Sequence, residues 1–356
     1  MAERKIWKGN EAVAEAAILA GCDFYAGYPI TPQNEVMELL SWKLPKAGKV
    51  FVQAESELGA INMVKGASGA GGHPLTATSA PGLALMQEGI ASMTTGRYPC
   101  VIVDMQRAGD FINPAQYDYN LATKAVGHSG LRVMAFSAST VQEMMDITIH
   151  AFQKAFQYRT PVYLLFDGML GQMLELAALP DSAPPLPDGS DWVLLGNRAG
   201  RRKRALVDSP AMSLKGALGF NANEKKLRDL EAMVQQWEET EVMYEEYCME
   251  DAEYVITSYG SPARTVRDAV DSLRAAGIRV GMFRAISLSP FPKKQFAAMA
   301  ERGIKGILTV EMAIPPQFYC DVALAVNGAI PVKSYTRAGG NVVVQSEIET
   351  ALREMI

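Results

Sequence analysis

The stretch YAGYPITPQNE, Tyr25–Glu35, decides how this chain is read. An apolar run ends at Gly27, two prolines then bracket Ile30-Thr31, and a polar helix-forming segment follows at once. Thr31 suits an N-cap with Pro32 at the favoured first helical position. Such a turn holds the loop in one shape and leaves the free N–H groups of a helix end pointing outward, where a carboxylate can settle. The same residues also read as a cap with no ligand. Either way, strand, fixed loop and helix make one step of an α/β fold.

Working outward, the same step repeats. The apolar runs CDFYAGY (Cys22–Tyr28), VFVQA (Val50–Ala54), HPLTATSA (His73–Ala80), CVIVDM (Cys100–Met105), VMAFSA (Val133–Ala138) and PVYLLFDG (Pro161–Gly168) alternate with segments of three-and-four apolar spacing. Strands without polar alternation are buried on both faces, the mark of a parallel sheet between helix layers. Residues 1–178 therefore read as a doubly wound, mostly parallel α/β domain. A proline- and acid-rich stretch from Leu179 reads as the start of a linker reaching residue 252. It includes the basic cluster NRAGRRKR (Asn197–Arg204), either a solvated loop or a patch for an acidic protein. It also includes a long helix whose stripe runs Leu227, Leu230, Val234, Trp237 and Tyr244. Residues 253–356 repeat the strand-helix scheme, with Ser261 placed to cap the helix that Pro262 opens and Gly277 ends.

Composition narrows the function. The 356 residues carry a formal charge of −5, with no basic face to suit nucleic acid. No apolar run of membrane-spanning length and no leader pattern is seen, so a cytoplasmic protein is expected. Cys22, Cys100, Cys248 and Cys320 have no C-x-x-C spacing and are expected to be reduced, buried thiols rather than cluster or metal ligands. No metal site is expected in this chain.

Ligands of an open parallel sheet bind beyond the carboxyl ends of its strands. The loops there hold Pro29, Ile30 and Thr31, then Glu55-Ser56-Glu57, then Thr78-Ser79, then Gln106-Arg107. Glu57 beside Gly59, Ala60 and Ile61 is either a dipole-friendly first-turn residue or a carboxyl in weakly polar surroundings, suited to sharing a proton. Arg107 is a candidate bidentate clamp for a carboxylate, with an ion pair to Asp104 or Asp110 as the structural alternative. GASGAGG (Gly66–Gly72) ends a helix instead of opening one, so it does not support a dinucleotide loop.

GYPITPQNE, QAESELGAINMVKGASGAG (Gln53–Gly71), TSAPGLALMQEGI (Thr78–Ile90) and PAQYDYNLATK (Pro114–Lys124) together resemble the 2-oxoacid:ferredoxin oxidoreductases, most closely the thiamine-pyrimidine subunit of the branched-chain (2-oxoisovalerate) enzymes. SYGSPARTVRDAV, GIRVGMFRAISLSPFP and VEM resemble that subunit's second domain, which is similar to a transketolase C-terminal domain. The resemblance implies a thiamine diphosphate enzyme that oxidatively decarboxylates a 2-oxoacid to acyl-CoA. It implies that Glu57 hydrogen-bonds the pyrimidine nitrogen and favours the imino tautomer, that Thr31 and Arg107 hold the oxoacid, and that Pro29, Ile30, Thr78 and Ser79 line the cofactor. Magnesium, diphosphate and 4Fe-4S clusters then belong to partner chains: a diphosphate-binding subunit with ferredoxin-like and small gamma-type subunits, assembled as a dimer of the hetero-oligomer and passing electrons to ferredoxin or another acceptor. Two departures stand out. Ala108-Gly109-Asp110-Phe111-Ile112 replaces the family's glycine-rich loop with bulk and a negative charge, which opens a roomier or aromatic oxoacid beside the branched-chain one the resemblance implies, and Ala313-Ile314-Pro315-Pro316 replaces its Asn-x-Gly-Gln. A transketolase-like or lyase subunit without electron transfer, and a noncatalytic interaction subunit, are the other readings of the same fold.

Overall fold

The computed structural model describes residues 3–109, 111–124, 126–128, 131–189, 192–194 and 217–356. The basic cluster Asn197–Arg204 and Asp110 lie outside the described residues. In chain order the first part holds β1 (Lys5–Lys8), α1 (Gly9–Leu19), β2 (Phe24–Gly27), α2 (Asn34–Lys46), β3 (Val50–Gln53), α3 (Glu57–Gly69), β4 (Pro74–Thr78), α4 (Ala80–Gly96), β5 (Cys100–Gln106), α5 (Tyr119–Thr123), β6 (Met134–Phe136), α6 (Val141–Tyr158), β7 (Pro161–Asp167), α7 (Gly168–Gln172) and β8 (Leu174–Ala177). Then follow α8 (Ala217–Thr240), β9 (Tyr244–Tyr247), β10 (Tyr254–Ser258), α9 (Pro262–Ala275), β11 (Val280–Ala285), β12 (Ser287–Ser289), α10 (Lys293–Ala298), β13 (Gly306–Glu311), α11 (Phe318–Val326), β14 (Val332–Thr336) and α12 (Gln345–Arg353).

Each of the six apolar runs forms a strand of one sheet, ordered β3-β2-β4-β5-β7-β6, all parallel. β5 and β7 are buried at every residue, as strands covered on both faces must be. On one face the alanines of α1 allow α6 to approach closely, and both join α2 in a core with Leu40, Phe152 and Phe166. The chain leaves β2 for β3 on one side and then places β4 on the other. The order thus reverses at β2, and the crevice beyond β2 and β4 is the place where such sheets bind ligands.

The second sheet is ordered β14-β13-β10-β11-β9, parallel except at β9. Its inner face does not close on itself. Ile61, Leu83 and Ile90 of the first sheet's helices share one core with Val255, Phe283, Phe296 and Phe318, while α9 and α12 cover the outer face. β12 crosses over and pairs antiparallel with β6. The two sheets are therefore joined by burial and by backbone.

Four local expectations are corrected. The helix after the two prolines starts at Asn34, with Gln33 as its N-cap, so Thr31 is not the cap. The Pro32 carbonyl is taken by Asn10 Nδ2 (2.7 Å) and Gln172 Nε2 (3.2 Å), which tie the loop to its neighbours as a separate turn before the helix. Tyr244 leaves the stripe of α8, because the helix ends at Thr240 and Tyr244 opens β9; Leu230, Met233 and Trp237 are the residues that bury the helix against the first core. Ser261 stands before α9 but its side chain makes no capping bond; its N–H donates instead to Asp167 Oδ2 (3.1 Å). Finally, Cys22 and Cys100 are buried, the former pushed up to about 12 by burial, whereas Cys248 is half-buried and Cys320 exposed. The antiparallel ribbon of β1 and β8 has no counterpart in the sequence reading, since Lys5–Lys8 and Leu174–Ala177 are too short to carry a period.

Candidate active site

Glu57 is the first residue of α3, set there by Ser56, whose hydroxyl accepts from Gly59 N (3.1 Å). Its side chain is 6% exposed and takes no hydrogen bond or ion pair among the described residues. Buried carboxyls are normally partnered, so one left open inside a crevice is aimed at something the chain does not itself supply. Gly82, in the first turn of α4, lies against it. A Cβ on Gly82 would meet Thr78 Oγ1 at 2.2 Å and Glu57 Oε1 at 2.6 Å, so only glycine lets α4 come this close. Glu57, Thr78 and Gly82 thus frame a narrow buried niche with one free carboxyl.

From this niche a line of neighbours runs to the oxoacid candidates. Thr78 pairs in register with Asp104 on β5. Asp104 lies near Asp118, the residue before α5. Burial, then the Asp118 charge, pushes Asp104 well above the usual carboxylate range; burial also raises Asp118, against its neighbour Asp104 and the nearby Arg107 charge. Arg107 in turn donates through Nη1 to the Thr31 carbonyl (2.8 Å) and through Nε to the Gly109 carbonyl (3.1 Å). The expected alternative, an ion pair of Arg107 with Asp104, is not formed: Arg107 gives its bonds to backbone carbonyls, and neither Asp104 oxygen has a hydrogen-bond partner among the described residues. Among the described residues Thr31 Oγ1 has only a long contact from Asn34 Nδ2 (3.5 Å), which leaves the hydroxyl available.

The other expected residues divide. Pro29 is exposed and Ile30 half-buried, both in the turn before Thr31 at the rim. Ser79 is buried and donates to the Met105 carbonyl (2.8 Å), so its hydroxyl braces β4 on β5 rather than facing the crevice. A cavity of about 630 Å³ opens beside Thr31, lined by Pro32, Ile112, Pro114, Met169 and Met173 among others. Glu35 on its wall is held by Lys8 (2.8 Å), Asn10 (2.6 Å) and Gln172 (3.0 Å). The acid pair and Gly82 were missed by sequence reasoning. An aspartate inside the otherwise apolar CVIVDM was the available signal, since a carboxyl in a strand buried on both faces must find a special partner.

The niche fits the aminopyrimidine of thiamine diphosphate: it is nearly buried, glycine-lined and holds one carboxyl without a partner among the described residues. Residues 15–243 match the family model described as pyruvate flavodoxin/ferredoxin oxidoreductase, thiamine diphosphate-binding, and residues 252–348 match the pyruvate:ferredoxin oxidoreductase core domain II. The chain belongs to this oxidoreductase family and is a subunit that acts within a complex. It is 42% identical over 98% of its length to the ketoisovalerate oxidoreductase subunit VorB of Methanothermobacter thermautotrophicus, covering 97% of that protein. The 2-oxoglutarate synthase subunit KorA of Methanothermobacter marburgensis is 34% identical, with 98% of each chain covered. Among solved structures, the 2-oxoglutarate:ferredoxin oxidoreductase of Magnetococcus marinus, with 2-oxoglutarate, coenzyme A and succinyl-CoA bound, superposes with a TM-score of 0.84 at 26% identity. That match takes in 99% of this chain and 65% of the other. A split-gene transketolase, at 13% identity and a TM-score of 0.59, shares the fold.

Proposed function

We propose that this chain supplies the pyrimidine half of a thiamine diphosphate site that oxidatively decarboxylates a branched-chain or aromatic 2-oxoacid to its acyl-CoA. The unpartnered, nearly buried Glu57 carboxyl carries the reading. When bound, thiamine diphosphate supplies the electron sink that lets a 2-oxoacid lose carbon dioxide. Glu57 holds and moves a proton at the pyrimidine ring nitrogen, a task that needs a carboxyl sheltered from water. Thr78 and Gly82 shape the wall of that niche, with Ser79 bracing it from behind; Pro29 and Ile30 contribute at the rim. Arg107 and Thr31 together take the oxoacid, both reaching its carboxylate and Arg107 its carbonyl as well, an arrangement supported by the bond that joins them (2.8 Å).

The oxoacid side chain goes into the cavity beside Thr31. Ile112, Met169 and Met173 give it an apolar wall, and its acid, Glu35, is already engaged and would repel a second carboxylate. This supports a hydrocarbon side chain over that of 2-oxoglutarate, in line with the ketoisovalerate name of the relative at 42% identity. Magnesium, diphosphate contacts and 4Fe-4S clusters are assigned to a diphosphate-binding subunit and a ferredoxin-like subunit, with a small gamma-type subunit completing a cytoplasmic complex that dimerises. Coenzyme A is the acyl acceptor and ferredoxin the electron acceptor. Among the described residues no helix is long and apolar enough to cross a membrane. The chain divides into a pyrimidine domain (1–178), a linker with the long helix (179–252) and a transketolase-C-like domain (253–356).

The test is acyl-CoA formation by the assembled complex over a panel of oxoacids. 3-Methyl-2-oxobutanoate and phenylpyruvate-type substrates are expected to lead 2-oxoglutarate in kcat/KM by at least about tenfold, the cost of about 1.4 kcal/mol for an unpaired charge at the cavity wall. A preference for 2-oxoglutarate overturns the substrate assignment.

A further inference from the structure

The strand that carries Arg107 is fastened, a few residues on, to the second sheet. Arg107 pairs antiparallel with Pro114, and Ala108 N donates to the Asn113 carbonyl (2.9 Å), so Arg107-Ala108 and Asn113-Pro114 run side by side at the crevice. Two residues beyond Pro114, Gln116 is fully buried. Its N–H donates to the Met312 carbonyl (2.9 Å), its Oε1 accepts from Met312 N (2.8 Å) and its Nε2 donates to the Tyr259 carbonyl (3.0 Å). Met312 follows β13 and Tyr259 follows β10, so one side chain joins the Arg107 segment to two loops of the other sheet. Glutamine alone suits this: glutamate has no donor for the Tyr259 carbonyl, and asparagine is one methylene shorter.

The turn after β10 also reaches the opposite wall of the oxoacid cavity. Ser261 N donates to Asp167 Oδ2 (3.1 Å), while Asp167 Oδ1 caps α7 by accepting from Met169 N (3.1 Å) and Leu170 N (3.2 Å). Gly168, Met169 and Gln172 line the cavity from α7, and Asn113 and Pro114 line it from the Arg107 segment. Gly260, at φ +68°, sits between the two attachments, since a Cβ there would meet Gln116 Nε2 at 3.0 Å and Asp167 Oδ2 at 3.4 Å. The geometry points to Gln116 as a positioning residue of the oxoacid site: it pins the Arg107 segment to the second sheet, so that the Tyr259-Gly260-Ser261 turn sets where the clamp stands relative to α7. This rests on the reading of Arg107 as the oxoacid clamp.

Arg107 needs such an anchor. Its guanidinium bonds go to the loop carbonyls of Thr31 and Gly109, so its place is only as fixed as the segment that bears it. Neighbouring contacts fasten the same stretch. Gln317 donates to the Tyr117 carbonyl (2.9 Å) and accepts from Asn120 N (2.8 Å), and a Cβ on Gly340 would meet Asn113 Cβ at 2.3 Å, so only glycine lets that loop lie so close. Gln116 is the buried member of the set, where a bond left unmade strands a desolvated group and the geometry is held most firmly.

The experiment is steady-state kinetics of the assembled complex on 3-methyl-2-oxobutanoate for Gln116→Met, Arg107→Met and the double variant, with rates counted per folded complex. Gln116→Met is expected to raise KM for the oxoacid about tenfold, with kcat and the KM for coenzyme A changed less than about twofold. In the Arg107→Met background the same change should add less than about twofold, because Gln116 acts through the clamp. A purely structural role lowers the yield of folded complex and leaves KM where it was. An unchanged KM in Gln116→Met, or a KM effect of equal size with and without Arg107, overturns the inference and leaves the clamp standing. If Gln116→Met does not assemble, Gln116→Asn, which keeps donor and acceptor but cannot reach both partners, should raise KM about threefold, and an unchanged KM there overturns the inference equally. If Arg107→Met itself keeps the wild-type KM, the clamp reading fails, and the inference with it.

Discussion

The crevice at the end of β2–β5 and the seam between the two sheets are both rich in buried polar groups, yet they treat them in opposite ways. At the seam Arg284 and Gln116 are fully engaged, although the Ser137 and Ser261 hydroxyls have no partner among the described residues. Arg284, whose side chain is 4% exposed, meets Glu143 through two nitrogens and Glu245 through a third. Gln116 donates to the Tyr259 carbonyl (3.0 Å) and accepts from Met312 N (2.8 Å). In the crevice Glu57 is left open and Thr31 is held loosely. Satisfied polar networks fix one packing, whereas an unsatisfied one stores an interaction for a ligand. The difference separates what holds the two sheets together from what the crevice does.

The sharpest way to break that contrast is Glu57→Gln. If Glu57 serves the cofactor, the change removes its proton-transfer role and keeps its shape, so turnover by the complex should fall by about 10²–10⁴. Thermal stability should stay within about 0.5 kcal/mol, because no protein partner is lost. Steady-state kinetics with a melting curve checks both. Near-normal turnover would mean that the open carboxyl is an accident of packing.

Arg284→Met tests the other side. Glu143 is pushed up by burial, but hydrogen bonds and charge from Arg284 outweigh this and hold its carboxyl below the usual range. Removing the guanidinium should therefore cost about 3 kcal/mol of stability by leaving a carboxylate unpaired. For a depressed carboxyl, the stabilisation is present above its unfolded value and is lost as pH falls through the folded one. The wild type should thus lose this part of its stability on acidification below the ordinary glutamate range, and Arg284→Met should not. Denaturant midpoints at neutral and acid pH measure it, and turnover per folded complex should change little.

Gly82→Ala sits between the two regimes. The added Cβ would approach the Glu57 Oε1 position at 2.6 Å and Thr78 Oγ1 at 2.2 Å, so both must move. A displacement near 1 Å of a catalytic carboxyl costs about 10²-fold in rate. Turnover is expected to drop by that order while the complex still assembles, as judged by size-exclusion chromatography.

How much of this was legible beforehand follows the same division. Strands such as CVIVDM and PVYLLFDG announce themselves because burial on both faces removes every polar alternation, whereas Glu57, a polar residue heading a small apolar helix, was legible as a candidate with its role left open. Thr31 as a cap was misread because the cap pattern is local, while the Pro32 carbonyl is claimed by Asn10 and Gln172 from far along the chain. Tyr244 was misread for a related reason: helical spacing persists by chance over one turn beyond Thr240, and only the pairing of β9 with β11 ends it. The acid pair and the Arg284 network were out of reach, since each joins residues distant in sequence whose types alone do not name their partners. Resemblance, by contrast, pointed to the family that the matches at 15–243 and 252–348 then showed.

Thr31→Val carries the smallest expected effect and the finest distinction. The hydroxyl makes one long contact, to Asn34 Nδ2 at 3.5 Å, too long to contribute much to the fold. The backbone carbonyl of Thr31, which holds Arg107, is untouched by the substitution. Valine keeps the branched shape, so only the hydrogen bond proposed between the hydroxyl and the oxoacid is removed. A bond to a charged group is worth about 1.5 kcal/mol, or roughly tenfold. KM for the oxoacid should therefore rise by about that factor with kcat and the melting temperature nearly unchanged. A fall in kcat at constant KM would place the hydroxyl at the reacting carbonyl instead of at the carboxylate, and an unchanged KM and kcat would return Thr31 to the scaffold.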